Sequence, residues 1–337
     1  MSDAIEGVAT LSFIVATLNE EHAIAACIES LLHQEYPAEL IDIVVVDGGS
    51  TDQTCAVVAA TAADADGRVR LLDNPRRIAA SAFNIGIAAS TGRLISLVSA
   101  HSVVDPGYAA VLAEAFEQSG AMLVGGRMVA ETGSTSPMSE AIVRATSSPL
   151  GLGNARFHYS TEPGWVDTAF PGAYRRELLD EIGGFDEALV RNQDDDLHLR
   201  ARLAGHPMWF EPRLQTAYRP RSTLRALWRQ YFEYGYWRAV TMRKHGQLAS
   251  ARQIVPPVFA LGVMGGAVVG AFSRPLRRLW QVGLAAWLVV LVTAGFRERA
   301  AGARVAARVA PAVGCLHLAY GIGFWAGMVK GPRPTRR

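Results

Sequence analysis

At 337 residues the chain has room for one large domain with an appendage, or for two domains. The formal net charge of +2 gives no basis for a nucleic-acid binder, although the Arg-rich, acid-poor last third suits an anionic membrane surface. Cys27, Cys55 and Cys315 are scattered without metal-ligand spacing and fit reduced cytosolic thiols; Met1 to Gly7 lacks the basic and apolar regions of a secretory signal.

Leu11 to Thr17 is an apolar run that stops in Leu18, Asn19, Glu20 and Glu21. Ile43 to Val46, within a strand expected over Ile41 to Val46, is another, and it stops in Asp47-Gly-Gly-Ser-Thr-Asp52. A fully buried strand reads this way when its carboxyl end opens into a crevice, and in an open parallel sheet that crevice binds ligands. Thr17, Asn19, Glu20, Asp47 and Asp52 supply the hydroxyls and carboxylates that read a ribose and a base. No Gly-x-Gly-x-x-Gly or Gly-Lys-Ser/Thr signature accompanies them. The pair of strand ends therefore suggests a nucleotide held by its sugar and base, with its phosphates managed elsewhere. For Asp47 there is a plainer alternative, a carboxylate capping a turn over Gly48 and Gly49.

Between these strands, Ile24, Cys27, Ile28, Leu31 and Leu32 recur at helical spacing, with Asn19 as the expected N-cap. Asp52 to Ala63 reads as a second helix, Val69 to Leu72 as a third strand, Ile78 to Ala89 as a third helix and Leu94 to Val98 as a fourth strand. This βαβαβαβ order with short connections predicts a mostly parallel sheet with helices on both faces. The stretch from Thr132 to Tyr159 is rich in Ser, Gly and Pro and reads as a loop that orders on substrate binding.

Composition changes sharply near Ile254. Ile254 to Phe272, Leu279 to Phe296 and Val309 to Val329 lack charge, and each has about the length of a membrane span. Arginines flank every run: Arg274, Arg277 and Arg278, then Arg297, Arg299, Arg304 and Arg308, then Arg333, Arg336 and Arg337 with Lys330. Positive charge on every flank leaves the orientation open. Before these runs, Leu224, Leu227, Trp228, Tyr231, Phe232, Gly235 and Tyr236 form an apolar stripe on one helix. Two readings stand: an interfacial helix resting on a membrane, or a helix packed against other protein.

Five motifs in order resemble glycosyltransferase family 2, of the GT-A fold. They are Thr17 to Glu21, Val46 to Asp52, Asn84-Ile-Gly86 with Gly92, Gly183-Gly-Phe-Asp186, and Asn192-Gln-Asp-Asp-Asp-Leu197. Arg221 to Gly235 and the apolar C-terminus resemble the membrane-attached, succinoglycan-biosynthesis type. The resemblance implies a catalytic domain over 1–220, divided into a nucleotide half at about 1–105 and an acceptor half at about 106–220. An amphipathic interfacial segment at 221–250 and membrane-associated helices at 251–337 follow. By similarity, Thr17, Asn19, Glu20, Asp47, Arg77, Asn84 and Ser99 would bind a nucleotide sugar, UDP-linked by expectation. Asp194 would be the general base, with Asp195 and Asp196 as alternatives and Gln193 where the family has Glu. Gln193, Asp195, Asp196, Trp228 and Arg229 would face the acceptor, a lipid-linked molecule or a glycan at the cytoplasmic membrane face. Asp196 is also placed to brace Arg200 at i+4.

The family holds Mn²⁺ or Mg²⁺ just after the fourth strand through Asp-x-Asp or Asp-x-His. This chain reads Ser99-Ala-His101, so one carboxylate is missing. Three accounts stay open: metal held by His101 with phosphate oxygens, charge compensation by Arg76, Arg77 or Arg175, or a weak or inactive relative. A polyprenyl-phosphate sugar synthase and a non-catalytic nucleotide-sugar-binding membrane partner are the alternative functions.

Overall fold

The continuous apolar runs become the centre of an eight-stranded sheet because both of their faces are covered. In the computed structural model, which describes residues 8–153, 155–189, 191–247 and 253–331, β1 (Leu11–Thr17) lies between β2 (Ile41–Asp47) and β4 (Leu94–Ser99), parallel to both. β3 (Val69–Asp73) extends the parallel half beyond β2. Helices α1 (Ile24–Leu32), α2 (Thr54–Ala63), α3 (Ala79–Ala89) and α4 (Tyr108–Ser119) connect and follow these strands. Alternate residues of β2 serve opposite faces: Ile43 and Val45 join the core under Ile24, Ile28 and Phe116, while Val44 and Val46 pack with Ala82 of α3.

The other half of the sheet is antiparallel. β5 (Leu123–Ala130), β6 (Gly164–Val166), β7 (Gly172–Arg175) and β8 (Met208–Tyr218) complete the order β3-β2-β1-β4-β7-β5-β8-β6. β7 runs antiparallel to β4, with Ala173 opposite Ser96. α7 (Arg176–Ile182) and α8 (Gln193–Leu203) carry the chain from β7 to β8.

Two compact units emerge, and their boundaries differ from the linear partition of the sequence. The sheet unit comprises the described residues of Met1–Val129 and Ser160–Ala217; the second comprises Ala130–Tyr159 and Tyr218–Arg337. The stretch 132–159, expected as a loop, instead forms α5 (Pro137–Thr146) and α6 (Pro149–Leu152). Ser136 caps α5 by accepting from the Ser139 N–H at 3.1 Å, and Ser148 does the same for Leu150 at 3.2 Å. Each Ser-Pro pair is thus an N-cap followed by proline at the first helical position.

The second unit continues with α9 (Leu224–His245), α10 (Val255–Phe272), α11 (Arg274–Arg297) and α12 (Ala303–Lys330). α10, α11 and α12 are long and apolar enough to cross a membrane. Of the stripe on α9, Leu227, Tyr231, Gly235 and Tyr236 are buried, and a Cβ at Gly235 would run into the Tyr320 carbonyl of α12, so protein covers these four; Trp228 stays exposed. The flanking Arg333, Arg336 and Arg337, the segment Met1 to Gly7 and the boundary at 250 and 251 lie outside the described residues.

Candidate active site

The parallel register sets Thr17 beside Asp47 and Ala16 beside Ser99, so the polar ends of β1, β2 and β4 share one edge. Reciprocal hydrogen bonds stitch the loops after β1 and β2 together. Asn19 donates its N–H to Ser50 Oγ at 2.8 Å and accepts the Thr51 N–H at 2.8 Å. Glu20 N–H reaches Thr54 Oγ1 at 2.8 Å, and Glu21 accepts the Gln53 N–H at 2.8 Å. Asn19 is therefore no N-cap: it sits at φ 55, and α1 starts at Ile24 with Ala23 before it. An Asn tolerates this left-handed backbone and uses its amide to hold the neighbouring loop.

Asp47 is buried and does cap its turn. It accepts from the Gly49 and Ser50 N–H groups at 2.8 and 2.9 Å, and from the Ser50 hydroxyl at 2.5 Å. Burial opposes the charged form, but the bonds from Ser50, Gly49 and Cys55 outweigh it and hold the carboxyl below its ordinary range. A lowered folded-state value means a contribution to stability that is complete at neutral pH and is lost as acid carries pH through that value. Asp47→Asn is expected to remove this part of the acid limb: unfolding midpoints measured from pH 7 to 3 should fall less in the variant than in the wild type.

Gly49 takes φ +83 and lies under the guanidinium of Arg77, so that an added Cβ would come within 2.9 Å of Arg77 Nε. Arg77 is exposed, itself at φ 56, and no carboxylate pairs with it among the described residues. The other two candidate cations are committed elsewhere. Arg76 pairs with Glu187, and Arg175 donates to the Ala121 and Phe116 carbonyls, both at 2.9 Å, at the end of α4. Asn84 is likewise engaged: it donates to the Phe185 carbonyl and Glu187 and accepts the Phe185 N–H, which ties α3 to the Gly183–Glu187 loop.

At the end of β4, His101 Nδ1 lies 3.2 Å from Glu20 Oε1, and Ser99 Oγ lies 3.1 Å from His101 Nε2. Glu20 thus stands beside His101, a pairing across 81 residues that the sequence motif does not display. Among the described residues no three His, Cys, Asp or Glu side chains converge as a metal site by themselves. Thr17 adds a different signal: its hydroxyl is buried, with no hydrogen-bond partner among the described residues.

Asp194, Asp195 and Asp196 occupy the first turn of α8, where the helix N-terminus favours negative charge. Their environments differ. Asp196 has no exposed surface and pairs with Arg200 at 2.9 Å, which suits the brace and leaves no face for an acceptor. Asp194 and Asp195 are half-buried, and Asp194 accepts the Asp195 N–H at 2.9 Å. Beneath them lies a group that the motif reading missed. His198 contacts Tyr174 Oη at 3.1 Å and Thr168 Oγ1 at 3.0 Å. Burial, then the charge of Asp194, raises the Tyr174 phenol far above its usual value, so it stays protonated. His198 lies at i+4 from Asp194, and that spacing is the sequence signal for it. Gln193 opens α8 half-buried, and Trp228 and Arg229 are exposed on α9 in the second unit.

A mixed sheet whose parallel strands end in polar residues on one edge, with an acidic helix start beside the antiparallel half, is a GT-A type glycosyltransferase fold. The family model for glycosyl transferase family 2 matches residues 12–183. The chain belongs to glycosyl transferase family 2 and is a transferase. It is 31% identical over 332 residues to the succinoglycan biosynthesis protein ExoA of Rhizobium meliloti, covering 96% of each chain. It is 26% identical over 239 residues to a dolichyl N-acetyl-alpha-D-glucosaminyl phosphate diacetamido-dideoxy-glucuronosyltransferase of Methanococcus voltae, covering 69% of this chain and 74% of that one. Among solved structures, the mannosyltransferase PcManGT of Pyrobaculum calidifontis, in complex with GDP-Man and Mn²⁺, superposes with a TM-score of 0.57 at 17% identity, covering 94% and 88% of the two chains. S. aureus TarS 1-349 in complex with UDP gives 0.51 at 18% identity, over 94% and 90%. These two likenesses establish the fold.

Proposed function

We propose that the chain is an inverting glycosyltransferase that moves a hexose from a UDP-linked donor to a lipid-linked or polysaccharide acceptor at the cytoplasmic membrane face. The observation that carries this reading is the edge itself: a buried hydroxyl at Thr17 with no hydrogen-bond partner and an Arg77 guanidinium with no carboxylate partner, among the described residues, flank the stitched Asp47 to Thr54 turn. A buried polar atom without a protein partner calls for an explanation, and a nucleoside hydroxyl supplies one. The named relatives support a lipid-linked or polysaccharide acceptor: one is a succinoglycan biosynthesis protein and the other is a transferase named for a dolichyl-linked sugar phosphate.

In this reading Thr17, Asn19, Glu20 and Asp47 frame base and ribose, and Arg77 faces the diphosphate. The acceptor hydroxyl attacks the anomeric carbon from the side opposite the nucleotide. As the new C–O bond forms, the bond to the diphosphate oxygen breaks, the nucleotide leaves with the electron pair, and Asp194 takes the hydroxyl proton. Attack from the opposite side inverts the anomeric configuration. Tyr174 and His198 support the start of α8 from below and so position Asp194. Glu20, His101 and the Ser99 hydroxyl fit Mn²⁺ or Mg²⁺ completed by diphosphate oxygens, and such an ion would supply charge compensation on the departing diphosphate.

Arg77→Ala is expected to weaken UDP binding about 10-fold or more while leaving uridine binding nearly unchanged, as charge-assisted hydrogen bonds to phosphate are worth about 1.5–3 kcal/mol. Calorimetric titration with both ligands checks this. Equal losses for the two would remove Arg77 from the diphosphate side.

Ser99 favours a second reading, a nucleotide-sugar-binding partner without turnover. Ser99→Asp separates the two. A large gain in Mn²⁺-dependent nucleotide release from a near-zero baseline would mark a crippled site. Release by the wild type with no gain on substitution supports the working enzyme.

A further inference from the structure

Three helices are long and apolar enough to span a membrane, but they are not equivalent. Within its apolar window α12 is 56% buried by protein, against 17% for α10 and 11% for α11. The base of the apolar pair covers part of it, at Gly321 and Trp325 from α10 and at Gly314 and His317 from α11; charged helices cover the rest of its described surroundings. α9 lies alongside α12 in parallel: Cys315 Sγ contacts the Leu224 carbonyl at 3.6 Å, a Cβ at Gly323 would meet the Phe232 carbonyl, and Tyr236 Oη donates to the Gly331 carbonyl at 2.6 Å. That helix carries Arg225, Arg229, Glu233, Arg238, Arg243 and Lys244. On another flank, Ala141, Ile142 and Ala145 of α5 join Val309, Val313 and Leu316 in one cluster. His317 Nε2 contacts the Leu150 carbonyl at 3.0 Å, and Arg144 bridges to Glu298 at 2.7 Å.

A helix wrapped this way cannot enter hydrocarbon without taking those charges with it. Intramembrane Arg, Lys and Glu are costly and face a bundle interior or water, whereas Arg225 and Arg229 are exposed. The positive flanks at Arg304 and Lys330, which by sequence alone mark the ends of a span, border a helix already covered by protein.

The pair α10 and α11 has the opposite character. Ser273 alone joins them, and they pack on each other where Gly266 meets the Trp280 ring and Gly270 meets the Arg277 backbone. Their outer faces expose Val258, Val268, Phe272, Leu279, Val289 and Val292. No charge interrupts 254–273 or 279–296, and arginines stand at the tip (Arg274, Arg277, Arg278) and at the base (Arg297, Arg299). At 1.5 Å per residue an 18-residue helix is about 27 Å long, close to the depth of a hydrocarbon core.

We infer that the α10–α11 hairpin alone enters the bilayer, with lipid chains covering its outer faces. α12 is a protein-covered spine that stays on the side where α5 and α9 lie. The chain thus enters and leaves the membrane on one face, and residues 303–330 return to the side from which α10 departs. This inference is independent of donor and acceptor chemistry.

Cysteine accessibility tests it on the full chain, with Cys27, Cys55 and Cys315 replaced by alanine and single cysteines introduced as Ser134→Cys and Lys330→Cys. Ser134 is exposed just before α5, and Lys330 is exposed at the end of α12. In sealed vesicles of both orientations, a membrane-impermeant maleimide is expected to modify both positions from the same side. Modification of Lys330→Cys only from the side opposite Ser134→Cys would establish a spanning α12 and overturn the inference. Val329→Cys, at a residue 83% exposed, gives the same readout should Lys330→Cys fail to fold. A nitroxide on Val268→Cys is expected to collide with oxygen and to be shielded from a polar nickel chelate. Free access of the chelate to that site would equally overturn the inserted hairpin.

Discussion

Asp194→Asn protein is expected to bind UDP as tightly as the wild type and to release nucleotide from a sugar donor about 100- to 10,000-fold more slowly, the range over which a positioned base contributes. The substitution keeps the size of the side chain and removes its ability to take a proton. Asp194 sits in the first turn of α8, half-buried, over a Tyr174 phenol that stays protonated. That surrounding is preserved in the variant, so binding and fold should be too. Single-turnover release in the presence of acceptor, beside UDP titration of the same preparation, measures both. Undiminished turnover in Asp194→Asn would transfer the base role to Asp195 or point to an acceptor that is already ionised, such as a polyprenyl phosphate.

Arg200→Met should have the largest effect on stability, a loss of about 3–5 kcal/mol, as expected when one partner of a buried ion pair is removed. Arg200 donates to Asp196 at 2.9 Å and to the carbonyls of Ile182 and Gly184, both at 2.6 Å. Asp196 has no exposed surface, so without Arg200 its charge loses its cation inside the protein. The loop that Arg200 holds is the same one that Asn84 and Arg76 grip from α3 and its approach. Loosening it should also loosen the start of α8, so turnover falls along with the denaturation midpoint. The double substitution Asp196→Leu with Arg200→Met is expected to recover part of the stability. A single Arg200→Met variant within about 1 kcal/mol of the wild type would show that the pair is not needed, since buried pairs are costly to form.

The two expectations turn on Asp194 and Asp196, two aspartates of one helical turn that the sequence treats alike. Three consecutive aspartates show only an acidic helix start; which is buried depends on the rotation of α8 against Ile182 to Gly184, a contact between distant segments. The strands were easier to read. Ile43 to Val46 is apolar at every position because both faces of β2 are covered, and the switch to Asp47 coincides with the strand end. The polar residues Thr17, Asn19, Glu20 and Asp47 follow from that switch. The loop contacts of Asn19 do not, because its φ of 55 and its bonds to Ser50 and Thr51 join loops more than thirty residues apart.

Arginines were the least legible. Arg76, Arg77 and Arg175 are equivalent as letters, yet a long side chain reaches whatever carbonyl or carboxylate is nearest, and only Arg77 comes to lie over Gly49. The helices of 132–159 were hidden by Ser-Pro pairs that start helices as readily as they make loops. The α9 stripe was visible in full, but an apolar stripe does not say whether lipid or another helix covers it, and here protein covers Leu227, Tyr231, Gly235 and Tyr236 while Trp228 stays exposed.

The central claim is that this edge holds a nucleotide sugar for transfer, and transfer itself is the most direct measurement of it. Full-length protein in lipid nanodiscs with Mn²⁺ and a panel of isotopically labelled UDP- and GDP-sugars should move label from one donor into the organic-extractable or polymeric fraction of added membrane lipid and glycan acceptors. Free nucleotide should appear in equal amount. Saturable binding of a nucleotide sugar with no label in any acceptor and no nucleotide released, under every donor tested, would contradict the account and leave a binding protein in its place.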